Sequence, residues 1–78
     1  MEEFPLYRRS ASGRNYYRIE GTDSFLEVQL IGSKALRHAV IARAYPERVL
    51  VQDMIACSQG AFVPVEAQEF DDALARVD

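Results

Sequence analysis

The stretch Lys34-Ala35-Leu36-Arg37-His38-Ala39-Val40-Ile41-Ala42-Arg43-Ala44-Tyr45 decides the fold, because it reads in two ways. Four alanines, Ser33 as an N-cap and Pro46 as a stop describe a helix. In that helix, however, Arg43 projects between Leu36, Ala39 and Val40, while Ile41 points to the far side. As a strand, Leu36, His38, Val40 and Ala42 share one face, and a turn at Gly32–Lys34 joins the stretch to the run before it. The strand reading is preferred, with a helix over 34–45 as the alternative.

Outward from this stretch, residues 24–31 alternate Leu26, Val28 and Leu30 against Glu27 and Gln29, a strand at period two. Residues 4–9 and 15–20 form a hairpin closed around Gly13, where a missing Cβ permits positive φ. On the other side, residues 48–55 place Val49, Val51 and Ile55 against Arg48, Leu50, Gln52 and Met54, again read as a strand. Residues 61–65 make a last short strand, assigned to an edge because Pro64 cannot donate to a ladder. From Ala67 to Val77 the apolar residues Phe70, Ala73, Leu74 and Val77 form one helical stripe. Glu66, Glu69, Asp71 and Asp72 cluster at its start, where the macrodipole favours acids.

The elements describe a single α+β domain over residues 1–78. It is an antiparallel β-meander of about five strands, flat or curled toward a barrel, with a C-terminal helix. Five strands span roughly 20 Å and one helix only about 10 Å, so the helix leaves apolar surface bare. Phe25, Ile31, Ile41, Leu50 and Met54 are assigned to that second face. A second subunit is the expected cover, with Ile41, Leu50 and Met54 at the interface. A chain of 78 residues with one cysteine needs such help more than a large domain does.

The single Cys57 and the single His38 exclude a disulfide and a zinc set of four N/S ligands. No phosphate-cradling glycine motif, calcium loop or nucleophile elbow occurs, and no cofactor is expected. No apolar run is long enough to span a membrane, and the acidic start Met1-Glu2-Glu3 is unlike a signal peptide. With a lone thiol, this reads as a cytoplasmic protein.

Net charge is −3, with one lysine among nine basic residues. Residues 7–18 hold four arginines and no acid. Arg8, Arg9, Arg14 and Arg18, interleaved with Tyr16 and Tyr17, have the side-chain chemistry of a nucleic-acid contact: guanidinium for phosphate, phenol for base stacking. The acidic total opposes that use. His38 with Cys57 offers a hydrolase pair, though no known spacing links them. Asp53, read on a strand, faces the core and needs His38 or an arginine as partner. The first function class is therefore a non-catalytic protein-interaction module that forms a homodimer. Nucleic-acid binding through 7–18 comes second, and a small Cys/His hydrolase is the distant third.

Overall fold

The computed structural model describes residues 3–77. It is an α+β fold with strands β1 (Leu6–Ser10), β2 (Asn15–Gly21), β3 (Ser24–Ile31), β4 (Lys34–Ile41) and β5 (Phe62–Pro64). Helix α1 (Tyr45–Ala56) follows β4, and α2 (Ala67–Leu74) follows β5. The strands form one open antiparallel sheet in the order β4-β3-β2-β1-β5. The first four are a meander, and β5 returns to the far edge beside β1.

The deciding stretch is a strand over Lys34–Ile41, in register with β3 from Ser24↔Ile41 to Ile31↔Lys34. Gly32 and Ser33 are left as a two-residue loop, and Gly32 takes φ +61° there, a value that glycine reaches without a Cβ clash. The β1–β2 turn similarly closes by Gly13 N–H donating to the Ser10 carbonyl at 2.9 Å, with Gly13 at φ +78°.

Residues 48–55 are helix, which corrects the strand reading. Pro46 is the cause. It does not stop the previous element but sits in the first turn of the next, where a missing N–H has no helical partner to lose. Glu47 folds back to accept the Ala44 N–H at 3.3 Å, anchoring the start. The buried residues are Val51 and Met54, with Ile55 partly buried beside them, at helical spacing. The β-branched Val49, Val51 and Ile55 imitate a period of two, but Val49 and Leu50 face outward.

Two helices, one on each face, replace the single helix expected. Under α1 lie Tyr17, Ile19, Phe25 and Ala42 with Val51 and Met54. Under α2 lie Val28 and Ala35 with Phe70 and Ala73, flanked by Tyr7, Tyr16, Leu26 and Leu30. Phe25 is therefore core, not a bare second face. Helix α2 is regular only to Leu74; Arg76 and Val77 then donate to Ala73 and Leu74 in tightened turns. Among the described residues, no helix is long and apolar enough to cross a membrane.

Phe70 is fully buried, with its ring 5.7 Å from that of Tyr7 and under the Arg18 guanidinium at 5.4 Å. Phe70→Ala is expected to cost about 3–5 kcal/mol in urea unfolding, a large part of what a domain this small possesses. A loss below 1 kcal/mol would mean that α2 does not hold its face of the sheet.

Candidate functional site

The arginine-tyrosine hairpin does not form one surface, because alternate residues on a strand point to opposite faces. Arg8 and Tyr17, directly paired in register, lie on the α1 face; Arg9, Tyr16 and Arg18 lie on the α2 face. Arg8 holds the end of α1: its Nε donates to the Met54 carbonyl at 2.9 Å and its Nη2 to the Ile55 carbonyl at 3.1 Å. A cation there meets the helix-end carbonyls and the negative end of the helix dipole. Arg18 pairs with Glu20 and covers Phe70. Arg9 is partly buried, and its Nε lies out of contact with solvent. Tyr17 is buried between the rings of Phe25 and Phe62. Of the six hairpin residues, only Arg14 at the turn is exposed.

The residues expected at a dimer interface are likewise separated. Met54 is fully buried and unavailable to any partner. Ile41 is 59% exposed on the α2 face of β4, whereas Leu50 is 38% exposed on α1, across the sheet. His38 stands on β4 and Cys57 beyond the C-terminal end of α1, which Arg8 ties to β1. Three strand spacings, about 14 Å, separate those positions across the sheet. Asp53 is on α1 rather than on a strand, and its carbonyl receives the Cys57 N–H at the helix end.

On the α1 face of the sheet, His38, Glu27 and the buried Tyr17 form a cross-strand row. Glu27 accepts a hydrogen bond from Asn15 Nδ2 at 2.7 Å. Burial, and after it the adjacent Glu27 carboxylate, pushes the Tyr17 phenol up to about 12. It is a group that keeps its proton, not a base. The cleft beside α2, lined by Tyr16, Leu30, Glu69, Asp72, Ala73 and Arg76, measures about 220 Å³, below the usual range for small-molecule sites. Among the described residues, no three His, Cys, Asp or Glu side chains converge on a metal position.

What remains is the sheet edge, and its two ends differ. Val65 N–H donates to the Tyr7 carbonyl at 3.3 Å and Ala11 N–H to the Ala61 carbonyl at 2.9 Å. Ladder bonds alternate along an antiparallel pair, so Phe62 and Pro64 turn their backbone groups outward. Proline has no N–H to offer, and β5 is three residues long; this edge is closed to further pairing. At the other edge, Ala42 N–H donates to the Asp23 carbonyl at 2.6 Å, one step beyond the Ser24↔Ile41 pair. The same alternation turns Leu36, His38 and Val40 toward β3, and Ala35, Arg37, Ala39 and Ile41 outward. Ala35 meets Val77 in a single parallel bridge. Among the described residues, the backbone of Arg37, Ala39 and Ile41 has no partner, and it is flanked by exposed Leu36 and Ile41. No proline interrupts β4, and its strand composition carried no signal that this edge would be the free one.

No family model, curated protein or solved structure matches the chain.

Two outcomes test this assignment of roles. Arg8→Ala should cost about 1.5–3 kcal/mol in urea unfolding, because two helix-end carbonyls lose a charged donor; Arg8→Lys should recover only part, lacking the forked geometry. In an alkaline titration followed by tyrosinate absorbance, Tyr17 should ionise near 12, against an ordinary value of 10.0. Its folded-state value is raised, so its contribution to stability is complete below pH 10 and is lost as pH rises from 10 toward 12. Glu27→Gln should lower that titration step; an unchanged step would remove Glu27 from the account.

Proposed function

We propose that this domain is a small, non-catalytic protein-interaction module whose binding element is the open edge of β4, working in a reducing, cytoplasmic setting. The observation that carries the reading is the run of outward backbone at Arg37, Ala39 and Ile41, unpaired among the described residues, with the opposite edge closed by Pro64. An extended segment laid along β4 gains main-chain hydrogen bonds there, while alternate side chains meet Leu36 and Val40 on one face and Arg37 and Ile41 on the other. A non-catalytic reading is supported by the separation of His38 from Cys57 across the sheet. Nucleic-acid binding is the weaker reading, since Arg8, Arg18 and Tyr17 are engaged in holding the fold.

Selection of random extended heptapeptides on the immobilised domain tests the edge. Selected peptides should slow amide exchange at Arg37, Ala39 and Ile41. They should bind Ala39→Pro at least about 10-fold more weakly, since that change removes an outward N–H and no β3 bond. Arg14→Ala should bind them normally. Peptides that bind Ala39→Pro as well as the parent would sink the reading. Salt-sensitive binding of oligonucleotides that Arg14→Ala abolishes would replace it with the nucleic-acid one.

A further inference from the structure

The β4 edge is self-complementary, and this decides what lies against it. A two-fold axis that pairs two copies of one strand antiparallel stands perpendicular to the sheet and passes beside a single residue, which then faces itself. Registers centred on Arg37, His38 and Ala39 each bring Arg37 and Ala39 of one β4 strand against outward backbone of the other, and charge separates them. An axis at Arg37 sets two guanidinium groups directly opposite, which is repulsive. An axis at His38 leaves the two Arg37 side chains two residues apart, about 7 Å, and matches Ile41 with Ala35, whose outer side Val77 already meets. An axis at Ala39 pairs Arg37 with Ile41 of the other copy, Ala39 with Ala39, and Ile41 with Arg37. Every open outward group is then used. The two guanidinium groups fall about 13 Å apart, beyond the Debye length of about 8 Å at physiological salt.

The same register matches the faces. Helix α1 begins beside β4, where Arg48 Nε donates to the Ala42 carbonyl at 3.3 Å, and ends at β1, held by Arg8. It therefore lies across the strands and covers the Val40 end of β4, leaving bare the Leu36 end with Ile31 beside it. Antiparallel pairing sets the bare end of each copy beside the covered end of the other. The start of the second α1, with Tyr45 79% exposed, then comes over Ile31 and Leu36, which are 53% and 47% exposed. Exposed backbone and exposed apolar surface are satisfied in one arrangement.

We propose that two copies of this chain pair through β4 about a two-fold axis at Ala39, joining two five-stranded sheets into one continuous sheet. This rests on β4 being the binding element and names a second copy as its occupant. The arginine on each edge favours this register over slipped ones and leaves the closed β5 edges outermost, so the pairing stops at two.

Sedimentation equilibrium from low micromolar to millimolar concentration should show a monomer–dimer equilibrium. Ala39→Pro should raise its dissociation constant about 30-fold or more with an unchanged far-ultraviolet circular dichroism spectrum, one hydrogen bond being lost from each copy. Tyr45→Ala should weaken it while leaving the monomer folded. In a Cys57→Ser background, Ala39→Cys should oxidise to a disulfide dimer, since paired Cα atoms lie about 5.5 Å apart, whereas Arg37→Cys should not. Ready cross-linking through Arg37→Cys, or a dimer indifferent to Ala39→Pro, would overturn the proposal. A strict monomer at millimolar concentration would overturn it as well. If that monomer still bound extended peptides in an Ala39-dependent way, the edge reading would stand and only the second copy would be wrong.

Discussion

The central strands β2 and β3 are buried on both sides, and this constraint organises the rest of the domain. Tyr17, Ile19 and Phe25 point to α1, while Tyr16, Leu26 and Val28 point to α2. Two short helices, of 12 and eight residues, are what the chain has to cover both faces. Each must sit over the middle of the sheet, where burial removes the most apolar area from water. The edges are what this arrangement leaves uncovered. Arg8 belongs to the same constraint: it fixes the C-terminal end of α1 above β1, so that the helix stays across the strands instead of sliding off them.

Ladder alternation then turns the two uncovered edges into different surfaces. Along β5 the outward positions are Phe62 and Pro64, and the ladder cannot continue past a residue without an N–H. Along β4 the outward positions include two alanines and an isoleucine, none of which hinders a neighbouring strand. Arg37 is the only charge among them, and it discriminates between registers more than it blocks pairing. Exposed apolar side chains occur on both sides of β4 at its free margin, Leu36 toward α1 and Ile41 toward α2.

Much of the sheet was legible in the sequence, for physical reasons that the exceptions make plain. The hairpin turns at Gly13 and Gly32 demand positive φ, and β3 alternates cleanly, so these elements could be read directly. The edge position of β5 followed from Pro64. The strand over 34–41 was legible because its helical stripe fails at Arg43 and Ile41. Helix α1 was not: Pro46 serves equally as a stop and as a first-turn residue, and Val49, Val51 and Ile55 fit a period of two by accident of β-branching. That one misreading removed the second helix and exposed Phe25 and Met54 on paper, when both are core. The candidate site was the least legible part. The Arg/Tyr composition of residues 7–18 concealed that alternate residues serve opposite faces, and that Arg8 is engaged with backbone 46 residues away. Which edge of a sheet is open depends on hydrogen-bond parity, and that is fixed by contacts such as Ala42 with Asp23 rather than by residue type.

Amide hydrogen exchange along β4, followed across a dilution series, tests this account most directly. The structure requires Leu36, His38 and Val40 to be protected by β3 at every concentration, while Arg37, Ala39 and Ile41 exchange quickly in dilute solution and slow as concentration rises. Equal protection of neighbouring residues at high dilution, or fast exchange at the even-numbered positions instead, would contradict it.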